Sequence, residues 1–319
     1  MNKNRYILLF LIVNNPLFGQ IPKGISFEPS VHIGKVLKHT SKLTYDVPPM
    51  SMGAELHYNY QRYGKAAWHE RQNYPLIGAS FLYYNFGDNA ILGEGFALYP
   101  TLNLKIFNLK QVRTDFVIGS GLGWASRPYN TITNPKNNAL GSNWNNLTQL
   151  KFISTFPLGT HWKAFGGMSF SHFSNGSRQL PNYGINVVAA NVGVQYTPNP
   201  LTSADFIKHN SLNDKVKRRF GVQIKTDIAW VASQLPDGPM YPIYIETFAG
   251  AYQRNPSTRW YLGMDYEQNQ AVYEFNLHAL NVNTRDEARL QAMRLAPFLA
   301  YEQWFGSFSI YLQTGTYIG

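Results

Sequence analysis

The chain has 319 residues, a formal net charge of +10, 14% charged and 15% aromatic residues, and no cysteine. So few charges beside a mean hydropathy of only −0.28 argue against an ordinary soluble domain, in which about 25% of residues are charged. The lack of cysteine excludes disulfides and thiolate metal sites, and no apolar run approaches the ~20 residues of a spanning helix.

In chain order, Lys3 and Arg5 precede an apolar run from Tyr6 to Val13, and Leu17-Phe18-Gly19 ends on a small residue ahead of Gln20. This order predicts a secretory signal peptide over residues 1–19 and a mature chain over 20–319. A weak period-2 segment near 26–36 is followed by clearer ones near 52–60 and 76–86. In Pro100-Thr-Leu-Asn-Leu-Lys-Ile106 one face is Pro, Leu, Leu, Ile and the other Thr, Asn, Lys. Such alternation puts lipid outside and water inside a barrel. It recurs near 112–124, 148–156, 163–174, 184–197, 219–231, 242–253 and 258–267, more weakly near 271–280 and 291–303, and again over Phe308–Gln313. The predicted fold is all-β: a transmembrane antiparallel β-barrel of roughly a dozen strands or slightly more. One large soluble β-sandwich is the alternative for the mature chain.

Two connections are long. The asparagine-rich stretch Arg127–Asn146 is predicted to be an exposed loop. Pro198–Lys217 is polar and leads into Lys215, Lys217, Arg218 and Arg219, a solvated rim or a contact to lipid phosphates. There is no GxSxG elbow, HExxH helix, phosphate loop or dinucleotide fingerprint. The eight histidines are scattered. Neither a metal nor another cofactor is therefore expected, and the dispersed positive charge argues against nucleic acid.

One constellation carries chemistry: Phe170-Ser-His172-Phe-Ser174-Asn175-Gly176-Ser177, followed by Pro181-Asn182-Tyr-Gly184-Ile-Asn186. His172 and Ser174 are two apart on a strand and share a face, where an imidazole can reach a hydroxyl. Their face also holds Ala164, Gly166, Met168 and Phe170, so the pair is expected to look toward lipid. Asn186 shares a face with Val188, Ala190, Val192 and Val194, and the intervening loop can return it beside His172. Polar groups on a lipid-facing wall are costly unless partnered, which suggests function. A mutually satisfied cluster in the interfacial belt is the plainer reading.

His172-Phe-Ser174-Asn175 with Pro181-Asn182-x-Gly184 resembles the signature of the outer-membrane lipid A 3-O-deacylases (PagL), also called bacterial acyloxyacyl hydrolases. The resemblance is specific over residues 160–197, and Phe96-Ala-Leu-Tyr-Pro100 and Thr133-Asn-Pro-Lys-Asn137 resemble longer members. It implies an ester hydrolase of the bacterial outer membrane with its active site on the outer barrel wall, acting on lipid A of lipopolysaccharide without a metal. His172 matches the family's general base and Ser174 its nucleophile. Asn175, Gly176 and Asn182 fall in the oxyanion-stabilising stretch. Asn186 stands where the best-known members carry a glutamate, so the third catalytic position is an amide. An asparagine can still accept the imidazole N–H. The alternatives are a non-catalytic porin-like or structural barrel, and an outer-membrane phospholipase that would share the catalytic groups.

Overall fold

The structure, a computed structural model, describes residues 21–109, 111–209, 218–233, 236, 238–279 and 282–318. The expected signal peptide and the basic residues Lys215 and Lys217 lie outside the described residues. Eight strands come first: β1 (Ile25–Val36), β2 (Ser51–Gln61), β3 (Leu76–Asn85), β4 (Glu94–Leu109), β5 (Val112–Ala125), β6 (Trp144–Pro157), β7 (Trp162–Ser174) and β8 (Ile185–Tyr196). Each pairs antiparallel with its neighbours, and β8 returns to β1 with Val36 opposite Val187 and Ser30 opposite Gly193, so the barrel closes. The expected barrel of a dozen strands is corrected here. Closure falls after the eighth strand, and the remaining five form a separate sheet.

Alternation along each strand sorts the side chains. The outer wall exposes Val31, Ile33, Leu56, Phe81, Leu98, Leu122, Phe152, Met168 and Val192. Water would make such a wall costly; hydrocarbon makes it neutral. Aromatic residues ring both ends. Phe96 and Trp124 meet at one end and Trp162 and Tyr196 at the other, the girdles of an outer-membrane-type barrel.

The interior is polar, as the alternation predicted, but side chains fill most of it, so the lumen is not open from end to end. Eight strands leave just enough room for side chains, and several of the polar ones pair with each other. Glu55 is buried at the centre, with Lys151 Nζ at 2.7 Å and His32 Nε2 at 3.0 Å. It also accepts from Ser80 Oγ at 2.6 Å and Tyr99 OH at 2.8 Å. The cavity beside this cluster holds only about 50 Å³. The eight-stranded barrel is therefore not a pore.

At one end an apolar cluster stoppers the barrel. Val36, Leu43, Tyr45, Phe86, Leu92, Leu140, Leu147, Phe173 and Ile185 come from strand ends and from the loops between them. Here the expectation for Arg127–Asn146 is corrected in part. Ala139 and Leu140 are fully buried, and strand β6 already begins at Trp144. The asparagines serve as struts: Asn134 and Asn137 donate from their side-chain amides to Ile91 O and Arg127 O.

The second sheet contains β9 (Arg219–Ala232), β10 (Met240–Asn255), β11 (Thr258–Asn269), β12 (Met293–Phe305) and β13 (Phe308–Gly315), in that spatial order. The expected strand near 271–280 is instead helix α2 (Gln270–His278), packed on α3 (Arg285–Gln291). Asn269 caps α2 by accepting from the Ala271 and Val272 amides, and that cap turns the chain into a helix. The β2–β3 connection carries the short helix α1 (Ala67–Arg71), adjacent to the sheet through Gln72, which donates to Trp304 O.

Removing the ammonium from the central cluster should leave Glu55 buried without its closest cation. Lys151→Met is expected to lower barrel stability by roughly 3 kcal/mol, measured as a drop in the urea midpoint of folding into bilayers. An unchanged midpoint would show that His32, Ser80 and Tyr99 alone hold the carboxylate.

Candidate active site on the outer wall

Strand β7 ends in a strict alternation. Phe165, Ser169, Ser171 and Phe173 are buried in the barrel, while Met168, Phe170, His172 and Ser174 lie on the other face. Phe173 has no exposed surface and its ring meets Phe86 edge-on at 5.4 Å. An aromatic ring locked in the stopper fixes the pleat of the last turn of strand, so the residues on either side of it project outward.

The pairing of β7 with β8 brings the third group in. His172 lies directly opposite Asn186, and Nδ1 is 2.5 Å from Asn186 Oδ1. The amide oxygen can only accept, so Nδ1 carries a proton, and in the neutral ring the lone pair is on Nε2. Asn186 is itself 8% exposed, and its backbone carbonyl accepts from the Leu37 amide at 2.8 Å. Asn186 is thus held by the β1–β8 seam.

Ser174 sits among donors. Asn182 Nδ2 is 3.0 Å from its Oγ and the Gly176 amide donates to it at 3.3 Å. Asn182 Oδ1 accepts the Asn175 amide at 3.1 Å, which fixes which way the Asn182 side chain faces. The Asn175 side chain points elsewhere, donating to Ser142 Oγ at 2.9 Å and Gln179 O at 2.8 Å. Of the three residues expected to stabilise an oxyanion, Gly176 and Asn182 converge on the hydroxyl, whereas Asn175 braces the loop. Among the described residues no hydrogen bond joins Ser174 to His172; they are neighbours on one face.

Sequence reasoning missed the surroundings. Thr148 pairs opposite His172 and Asn146 opposite Ser174 on β6, and Thr148 Oγ1 donates to Asn146 at 3.1 Å. Ser142 anchors Asn175 from the next loop. Gly184 is quoted in the motif without a role, yet it has φ +81° and a Cβ there would lie 2.8 Å from His172 Cε1. Its backbone meets the neighbouring loop through a bond from its amide to Ala139 O at 2.8 Å. Only cross-strand register could have found the β6 residues. Among the described residues no group of His, Asp or Glu side chains could hold a metal ion.

A closed barrel with an apolar outer wall, with a serine, a histidine and an asparagine gathered at one end of that wall, defines an outer-membrane-type barrel protein. Residues 52–195, which run from β2 to β8 of the barrel, match the family model described as lipid A 3-O-deacylase (PagL). No curated protein matches the chain significantly. Among solved structures, the chain is similar to the outer membrane enzyme PagL, with 15% identity and a TM-score of 0.37 over 52% of this chain and 97% of that one. Neisserial surface protein A gives 9% identity and a TM-score of 0.37, covering 55% and 97% of the two chains. Ail of Yersinia pestis gives 13% and 0.34, covering 55% and 99%.

A methyl group at Gly184 would push on the imidazole in a backbone conformation that alanine resists. Gly184→Ala is therefore expected to slow any ester hydrolysis at this site roughly 10²-fold by displacing His172, while heat-modifiable gel mobility stays that of the folded barrel. A variant that is folded and fully active would show that the close packing has no bearing on the ring's position.

Proposed function

We propose that this protein removes an ester-linked acyl chain from lipid A in the outer membrane, using Ser174 as nucleophile, His172 as general base and Asn186 as the residue that orients the base. The observation that carries this reading is the pairing of His172 Nδ1 with Asn186 Oδ1 on the outer wall, two residues from Ser174. The family match of the barrel domain supports the substrate class. Height in the membrane supports it too. Trp144 and Trp124, paired on β6 and β5, belong to the aromatic girdle at this end of the barrel, and lipid ester groups lie at that same boundary between chains and headgroups.

In the reaction, the Ser174 hydroxyl turns from Asn182 toward His172 Nε2, which takes its proton as Oγ bonds to the ester carbonyl carbon. The carbonyl oxygen becomes an oxyanion and receives the N–H groups of Gly176 and Asn182 that the resting hydroxyl occupies. Such donors are worth ~3 to 4 kcal/mol each in the transition state. Collapse breaks the ester C–O bond, and the imidazolium protonates the departing lipid A hydroxyl. Water, deprotonated by His172, then attacks the acyl-serine, releasing the fatty acid and restoring Ser174. Asn186 keeps the imidazole in the required tautomer, but a neutral amide adds no charge to offset the imidazolium. We also assign residues 1–19 as the export signal.

Mass spectrometry of lipid A from cells expressing each variant tests this. Ser174→Ala is expected to leave lipid A fully acylated, and His172→Ala to slow deacylation by ~10²- to 10⁴-fold, both with a folded barrel. Full activity in either, or loss of a phospholipid acyl chain in place of one from lipid A, would overturn the assignment. EDTA is expected to leave the rate unchanged; a loss restored by a divalent ion would place a metal in the reaction.

The third group has its own test. Asn186→Ala should lower the initial rate on purified lipid A within the same ~10²- to 10⁴-fold range, because the ring loses its orienting partner. Asn186→Glu should raise it above wild type by stabilising the imidazolium. A silent alanine variant would remove Asn186 from the mechanism and leave Ser174 and His172 in place.

A further inference from the structure

The five-stranded sheet has the side-chain pattern of a membrane barrel but not its closure. On β9 the residues Phe220, Val222, Ile224, Ile228 and Trp230 are exposed on one face, and β11 and β12 continue that face with Leu262 and Leu299. The opposite face is polar: Lys225 pairs with Asp227, Thr247 and Gln313 donate to Asp265, and Tyr261 and Ser309 donate to Glu302. This polar face is concave, since Lys225 on the first strand reaches within 5.8 Å of the Tyr311 ring on the last. Apart from one hydrogen-bonded pair on the outer face, Thr226 and Glu246, apolar residues lie outside and polar ones inside, the arrangement of a lumen.

The sheet stands alongside the barrel at both ends. Ala232 donates its amide to Ser177 O beside the candidate site, and at the far end Gln72 donates to Trp304 O. It thus occupies the same slab of membrane. At ~3.3 Å per residue, the 14 residues of β9 and the 16 of β10 are long enough to cross an apolar band of about 25 Å even when tilted. Yet among the described residues no strand pairs with the outer edge of β9 or of β13. Every second residue of an edge strand turns its N–H and C=O outward, and hydrocarbon contains no water to receive them. Closure of β13 onto β9 from the five described strands alone would make a barrel below the smallest known, of about eight strands.

We propose that a second copy of this chain completes the sheet, so that two five-stranded halves form one ten-stranded barrel about a twofold axis along the membrane normal, with an eight-stranded barrel on each side. Each copy brings one β9 edge and one β13 edge, so two copies leave no edge open. Four antiparallel steps separate β9 from β13, so the two strands run the same way and each seam is parallel. Both edges alternate in the same sense, with Ile224 and Ile228 outward on β9 and Phe308 and Leu312 outward on β13. A seam between them keeps the lipid face continuous. This proposal is independent of the esterase reading and stands or falls without it.

The chain contains no cysteine, so introduced thiols are unambiguous. Ile224→Cys on β9 would be combined in turn with Ile310→Cys, Leu312→Cys and Thr314→Cys on β13, and the full chain oxidised in its native membrane. One of these registers is expected to give a covalent species of twice the chain mass, while each single variant stays at the mass of one chain. Native mass spectrometry of the unmodified protein released from lipid nanodiscs is expected to show the same doubling, so the test does not hang on variants folding. A single-chain mass for the unmodified protein would overturn the proposal, as would a disulfide formed within one chain, a ring of three or more copies, or a link to a different protein.

Discussion

A backbone amide in hydrocarbon has no water to turn to, and the layout of this chain follows from that constraint. The first eight strands meet it within one copy: β8 returns to β1, and no edge remains. Closure at eight strands fixes the bore, and the bore decides what the interior can be. It is too narrow for a channel, and Glu55, Lys151 and His32 fill its centre as an ion-paired cluster. With the lumen occupied, chemistry on a membrane substrate has only the outer wall to use.

The candidate site sits where that wall meets the stoppered end. Phe173 has an inward anchor in Phe86, and the residues flanking it are thereby turned out. The braces come from three directions: the β1–β8 seam holds Asn186, Ser142 holds Asn175, and Ala139 receives the Gly184 amide. Rigid support of this kind lets a polar trio on an apolar face keep one geometry.

Much of this was legible in the sequence where the information is local. The alternation through Met168, Phe170, His172 and Ser174 specifies a face, and the face specifies lipid. The point of closure was not legible, because it depends on Ser30–Val36 finding Val187–Gly193 more than 150 residues away, and no local pattern encodes that match. Residues 271–280 misled for a physical reason. Tyr273, Phe275 and Leu277 alternate with Glu274, Asn276 and His278 as in a strand, but the Asn269 side chain captures the Ala271 and Val272 amides and starts a helix. The asparagines of Arg127–Asn146 suggested solvent, whereas several of their side chains serve as substitutes for backbone partners under the stopper.

The outward aspect of His172 and Ser174 also sets the dimensionality of any encounter. A molecule reaching these groups arrives by diffusing sideways within the leaflet, with its headgroup kept at the girdle of Phe96, Trp124 and Trp144. The relevant concentration is then mole fraction in the plane of the membrane, and diluting the leaflet with inert lipid lowers the encounter rate even when the total amount in the suspension is unchanged. Orientation is supplied before contact, because a bilayer presents its molecules head-first at a fixed depth. The protein is spared the ordering of a flexible chain from bulk water, which is consistent with a site built from a few rim residues and no enclosed pocket.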